Sequence, residues 1–171
     1  MKYLEIFSQR VSLSQPSWDI FLAIFFIGAI FLYGFTAGKS RLIIGIISLY
    51  ISLVLEKILP YAWIENSLIK TGASFFPFYI FKIIIFVLIF SFVVFIFSRR
   101  SFYRIGNAQK WWQVIVFSFL QFGFLMSIIL AFIPAEILNN FLPLSYYFFV
   151  SDLARIVWTT TPAMAIILLR N

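Results

Sequence analysis

Four polar side chains interrupt long apolar stretches of the sequence, and they are the first candidates for chemistry. Asp19, Glu56 and Lys82 lie near the ends of three such stretches. Gln121 lies near the middle of a fourth. Because a charge inside a membrane is costly, such residues usually face a partner or water. If the helices pack as a bundle, the three charged residues meet in a polar pocket or proton-linked site near one membrane face.

Each of these residues also has a structural explanation. Asp19 at the start of a helix stabilises its N-terminus, and the side chains of Glu56 and Lys82 extend to the lipid headgroups. The Gln121 amide, with Ser118 one turn before it, either bonds a neighbouring helix or lines a conduction path. The sequence alone leaves both interpretations open.

Several classes of catalytic and metal site are excluded by composition. The chain contains no Cys and no His, which removes thiol nucleophiles, imidazole bases and the usual transition-metal ligands. The sequence also lacks a phosphate-binding loop, a zinc-protease motif and a nucleophile-elbow motif. We therefore expect no enzymatic activity, no catalytic residues, no metal and no cofactor.

The composition is typical of a membrane protein. Of the 171 residues, 63% are hydrophobic and 11% are charged, against about 45–50% and about 25% in soluble domains. The uncharged run 20–37 would cover about 27 Å as a helix, close to the hydrocarbon thickness of a bilayer. In lipid the backbone must satisfy its own hydrogen bonds, so helices are predicted.

The predicted fold is all-α, a polytopic bundle in one domain, 1–171. Four transmembrane helices are expected at 19–38, 42–59, 75–98 and 111–133. Residues 1–17 form either an interfacial amphipathic helix or a frayed terminus.

The tail, 135–171, is broken by prolines and charges, and its apolar pieces are short. We predict a re-entrant or interfacial tail, with a fifth span as the alternative. Asp152 and Arg155 can pair on a helix at the membrane surface.

The charge distribution orients the four predicted spans. The loops at 38–41 and 99–110 carry six basic residues and no acidic residue. Because basic loops remain inside, these loops are predicted to be cytoplasmic and the N-terminus to be outside. The expected partner is a bilayer with anionic headgroups and not nucleic acid. The residues predicted to contact headgroups are Arg99, Arg100, Arg104 and Lys110.

Small residues near the turn between the first two predicted spans favour close helix packing. Gly34 and Gly38 form a GxxxG motif, and Gly45 continues the small residues onto the second span. Glycines let two helical backbones approach closely in lipid. The motif indicates either a tight hairpin within one chain or the interface of a homo-oligomer.

These features together resemble the colicin V production protein family. The resemblance lies in Asp19, the Gly-rich basic turn 33–41, the apolar third span and the basic loop after it, Gly123 in the fourth span, and the Ser-containing tail from Ser151 to Trp158. It implies a bacterial inner-membrane protein linked to toxin production or export and to envelope homeostasis.

Two functions are therefore expected as competitors. The first is a non-enzymatic envelope scaffold or accessory protein that acts through homo-oligomerisation or a membrane-protein partner. The alternative is a small transporter or channel subunit with a polar site near the outer ends of the first three helices.

Overall fold

The computed structural model describes residues 18–61, 63–65, 77–99 and 111–169. The regular elements of this part are all helical, as predicted. They are α1 (Trp18–Ile58), α2 (Phe78–Arg99), α3 (Trp111–Ala131), α4 (Ala135–Phe141), the single turn α5 (Pro143–Ser145), a π-helical turn (Tyr146–Val150) and α6 (Asp152–Leu168). The predicted interfacial segment 1–17 lies outside the described residues.

A single glycine divides α1 into a first arm, 18–37, and a second arm, 39–58. Gly38 has φ 71° and ψ 160°, a positive φ that glycine adopts readily. Lys39 contacts Gln113 near the start of α3, whereas Phe26 contacts Phe119 further along α3. A straight helix would carry Phe26 roughly 20 Å away from Lys39 in the opposite direction. The chain therefore reverses at Gly38, as the predicted hairpin requires.

The second arm and α3 run parallel, and they carry most of the core. Lys39 lies beside Gln113, and Tyr50 contacts Phe124 eleven residues further along both helices. The core between them contains Leu42, Ile46, Phe117 and Leu120. Helix α2 returns against the second arm and α3, where Phe86 packs with Leu49 and Phe124.

The tail runs back along the whole length of α3. Val150 packs with Leu130 and Leu138, near the end of α3. Trp158 lies against Gly123 near the middle. The carbonyl of Leu169 reaches Lys39 beside the start of α3. We call the two ends of the bundle the Lys39 end and the Glu56 end.

Two helices of the described residues, α2 and α3, are long and apolar enough to cross a membrane. The predicted count of four spans is therefore not confirmed. A core helix of a soluble protein satisfies the same criterion of length and composition, but such a helix is mostly buried. Only 11% of the apolar stretch of α2 is buried, against 50% for α3.

Candidate functional site

Buried polar side chains follow the second arm and α3 from one end of the bundle to the other. Gly45, Ser48, Ser52 and Glu56 recur at spacings of three and four residues, so they share one helical face. Gly45 faces Gln121, which places this face against α3. We name as the polar seam seven of the buried polar residues described on these two helices: Lys39, Ser48, Ser52, Glu56, Gln113, Ser118 and Gln121. Ser127 of α3 is also buried but bonds the carbonyl of Phe149 in the tail and is not included.

At the Lys39 end, a buried ammonium group joins three elements. The Lys39 side chain is 5% exposed. Its Nζ donates to Gln113 Oε1 and to the carbonyl oxygen of Leu169, both at 2.9 Å. Leu169 follows the last turn of α6, where helix carbonyls lack internal partners and favour a cation. Lys39 therefore fastens the end of the tail to α1 and α3.

At the centre of the seam, three enclosed oxygen atoms have no hydrogen-bond partner among the described residues. They are Ser48 Oγ, Ser118 Oγ and Gln121 Oε1. The Gln121 side chain occupies the space left by the missing side chain of Gly45, since a Cβ there would lie 2.3 Å from Nε2. Gln121 is ten residues from either end of α3, or about 15 Å along the helix axis. An enclosed polar atom without a partner costs about 1–3 kcal/mol, so these atoms favour an additional ligand.

At the Glu56 end, a carboxylate and an ammonium group lie near an aromatic pair. Glu56 is buried, and its negative charge acts on the phenol of Tyr61. Lys82 Nζ lies 5.1 Å from the ring centroids of both Tyr61 and Phe78, within the range of cation–π attraction. This end therefore contains a buried carboxylate and a cation covered by aromatic rings, and both act on Tyr61.

The Tyr61 phenol has a testable titration. Burial, and after it the negative charge of Glu56, raises the pKa of Tyr61 from 10.0 to about 12. Since the folded pKa is raised, the stabilising contribution of the neutral phenol is complete below pH 10 and is lost as the pH rises through 12. The difference in tyrosinate absorbance between the wild type and Tyr61→Phe should therefore have its midpoint near pH 12.

The Glu56→Gln variant separates the two causes of this shift. We expect it to lower the pKa of Tyr61 without restoring 10.0, because burial is the larger cause. A Tyr61 midpoint at pH 10 in the wild type would contradict the enclosed environment.

The structure brings together only part of the predicted pocket. Glu56 and Lys82 both lie at the Glu56 end, but Lys82 faces two rings and forms no ion pair with a carboxylate of the described residues. The side chain of Asp19 lies outside the described part. Gln121 is buried between helices, as both interpretations of it require.

The candidate packing glycines have roles within one chain. Gly38 makes the hairpin turn, and Gly45 accommodates Gln121. The surroundings of Gly34 lie outside the described residues. The structure thus supplies the intrachain explanation of the GxxxG motif at Gly38.

The predicted headgroup contacts fall mostly outside the described part of the chain. Of the four, Arg99 is described; its guanidinium lies 4.4 Å from the ring centroid of Phe95 at the exposed end of α2. Arg100, Arg104 and Lys110 lie outside.

Sequence reasoning missed the burial of Lys39. The predicted loop 38–41 includes Lys39, whereas in the structure this residue belongs to the second arm and its side chain extends inward to Gln113 and Leu169. A single base between a glycine and a serine carries no signal of this. Among the described residues, no group of three acidic, His or Cys side chains is placed to hold a metal ion.

Comparisons of the chain with protein-family models, curated proteins and solved structures found no significant match. They give the colicin V production family no support, and that resemblance stays a prediction.

Proposed function

We propose that this protein spans a membrane and that its polar seam binds and passes a small cation or proton. It would act as a small transporter or channel subunit. The observation that carries the proposal is the set of enclosed, unpartnered oxygen atoms at the centre of the seam. The proposal combines a lipid-embedded surface with a polar interior, and each part has separate support.

The surface of α2 supports membrane embedding. Large apolar side chains along it are exposed, among them Ile84, Leu88, Phe92 and Phe95. Soluble monomers rarely expose contiguous apolar patches above a few hundred Å². Lipid tails would cover such a surface without further cost, since they are as apolar as the side chains themselves.

The path of the tail favours the five-span alternative over a re-entrant tail. From Val150 beside Leu130 to Leu169 beside Lys39, the tail covers the length of α3. The passes would be the two arms of α1, then α2, α3 and the tail. By the charge argument, the Lys39 end would face the cytoplasm of a bacterial inner membrane, and the described end of the tail would lie there too.

The interior of the seam supports passage of a small cation or proton. Its unpartnered atoms are hydroxyl and amide oxygens, which suit water, protons and hard monovalent cations. Glu56 at one end attracts a cation, and the buried Lys39 at the other end opposes its exit. A solute entering at the Glu56 end would therefore be held at mid-bilayer until the Lys39 end rearranges.

The break in the tail supports the same proposal. The π-helical turn ends at Val150, and Ser151 has an extended backbone (φ −56°, ψ 153°) before α6 begins. The carbonyls of Phe148 and Phe149 accept from Trp158 Nε1 and Ser127 Oγ instead of continuing a helix. Discontinuous helices of this kind line ion and substrate sites in secondary transporters.

The proposal is tested by ion flux in liposomes. Purified protein would be reconstituted, and proton and sodium influx would be followed with trapped dyes under an imposed gradient. We expect flux through the wild type and a loss of at least tenfold in Gln121→Leu and in Glu56→Gln.

A matched control guards against general damage. Glu136→Gln makes the same chemical change at an exposed residue and should leave flux unchanged. Absence of wild-type flux for both ions, or equal flux in all variants, would contradict the proposal.

A second candidate is the accessory role in toxin export or envelope homeostasis that the resemblance implies. It is supported by an exposed charged pair on α6, Asp152 and Arg155, which a protein surface in the membrane would cover. Two results together would favour the accessory role: the protein conducts neither ion, and substitutions of Asp152 or Arg155 impair toxin export.

A further inference from the structure

A charged pair, Asp152 and Arg155, lies exposed near the start of α6. Arg155 Nη2 lies 2.7 Å from Asp152 Oδ1, and the two side chains are 54% and 92% exposed, respectively. The pair lies between Phe149, whose carbonyl binds Ser127, and Trp158, which lies on Gly123.

The depth of the pair follows from these two contacts. Gly123 and Ser127 are eight and four residues before Ala131, which places the pair about 6–12 Å inside the end of α3. On the proposed membrane embedding, this depth is within the hydrocarbon region, which is about 30 Å thick. The predicted pairing of Asp152 and Arg155 is present, and on the proposed embedding the pair would lie deeper than the membrane surface.

Lipid tails are a poor solvent for this pair. Charged side chains at such depth face the protein interior or water almost without exception. Even paired, the two groups leave hydrogen-bonding capacity unused, because a carboxylate accepts about four bonds and a guanidinium donates five. On the proposed embedding, a polar protein surface packed against the pair would supply these missing hydrogen bonds.

We propose that the partner is a second copy of this chain, packed α6 against α6 about a two-fold axis along the membrane normal. The axis places the same residues of both copies at equal depth, and Asp152 and Arg155 differ in depth by only about 4.5 Å, three residues of helix. The long arginine side chain can bridge this offset, so Asp152 of each copy can pair with Arg155 of the other across the axis. The four charges then alternate in sign around a square. The surface is thus complementary to itself, as an isologous interface requires.

The rest of the face fits a helix–helix contact in lipid. Thr159 lies seven residues after Asp152 and four after Arg155, on the same face, and is exposed. Ile156 borders this face with exposed apolar surface, 60%. A polar centre with apolar sides, including a threonine, is typical of interhelical contacts in membranes.

Charge reversal tests the proposal. Asp152→Arg puts four positive charges together in the dimer, and we expect the dissociation constant in mild detergent or nanodiscs to rise by about tenfold or more. The double variant Asp152→Arg with Arg155→Asp restores alternation and should restore the dimer. A monomeric wild type, or a double variant no better than the single one, would overturn the proposal.

Cysteine cross-linking tests the same contact in native membranes. Because the chain has no cysteine, Thr159→Cys provides a unique thiol at the proposed interface, and oxidation should yield a covalent dimer. Ile84→Cys, exposed on α2, should not. Modification of Thr159→Cys by a membrane-impermeant reagent without cross-linking would show that the face lines water, and would overturn the dimer.

This inference rests on the membrane embedding in the proposed function, so its failure must be told apart from failure of that proposal. Alkaline carbonate extraction of the same membranes makes the distinction. Protein released by carbonate would refute the embedding. Protein that is retained but monomeric would refute the dimer alone.

Discussion

Gly123→Ala is expected to be the most destabilising single substitution proposed for this chain. An added Cβ would lie 1.9 Å from Trp158 Cζ3 and 2.4 Å from Cε3, well inside van der Waals contact. Overpacking of this kind costs about 1–3 kcal/mol or more. Alanine's better helix propensity, about 1 kcal/mol, would not offset it.

The indole cannot move aside cheaply. Trp158 Nε1 donates to the carbonyl of Phe148 at 2.8 Å. Its ring stacks on Phe149 at 5.5 Å and contacts Phe119 at 5.4 Å. Displacing the ring would break the hydrogen bond that caps the broken helix, so α6 should separate from α3.

The measurement is thermal unfolding in mild detergent, together with protease sensitivity of the tail. Gly28→Ala is the matched control, because a Cβ there meets nothing within 4 Å; it should be neutral or slightly stabilising. Trp158→Leu combined with Gly123→Ala should recover part of the loss by removing the clashing ring. An unfolding temperature equal in both alanine variants would contradict the described packing.

Lys39→Met is expected to have the second-largest effect and to act on one end of the tail. The variant keeps the length of the side chain but removes the donors to Gln113 Oε1 and to the carbonyl of Leu169. A hydrogen bond to a charged group contributes about 1.5–3 kcal/mol. Part of this loss is offset, because a buried ammonium no longer has to be desolvated. We expect a net loss of about 1–2 kcal/mol.

The measurement is local as well as global. Ile166→Cys, half-buried against the core near the end of α6, should react faster with a thiol reagent when Lys39→Met is present. Arg41→Met is the control, since Arg41 is exposed two residues away, and it should change neither the labelling rate nor the stability. Unchanged labelling in Lys39→Met would show that Lys39 does not fasten the tail.

Features that depend on neighbours along the chain were predictable from the sequence. Long uncharged runs predict helices because a backbone in lipid must bond within itself. The reversal at Gly38 follows from a residue without a side chain placed between two apolar runs. The Asp152–Arg155 pair follows from a spacing of three residues on a helix.

The candidate site depends on contacts between distant residues, and no local pattern encodes them. The hydrogen bonds of Lys39 join residues separated by 74 and 130 positions. In the sequence, Ser48 and Ser118 have the pattern of ordinary helix-packing residues. Only the structure shows that their hydroxyl groups are buried without a hydrogen-bond partner among the described residues. The distance that the tail covers along α3 likewise could not be predicted. Each of its apolar pieces is too short to span a membrane, and only their packing against α3 joins them into one continuous path.

The amino-acid sequence by itself determined that this chain is helical, largely apolar and reversed at Gly38, because these features depend on composition and on short spacings along the chain. The tertiary structure alone decided that Lys39 points inward, that Gln121 lies on Gly45 and that the tail returns to the Lys39 end. The physical reason is that a polar side chain inside a closely packed apolar bundle needs space or a hydrogen-bond acceptor from another helix. Gly45 supplies the space for Gln121, and the carbonyl of Leu169 supplies an acceptor for Lys39.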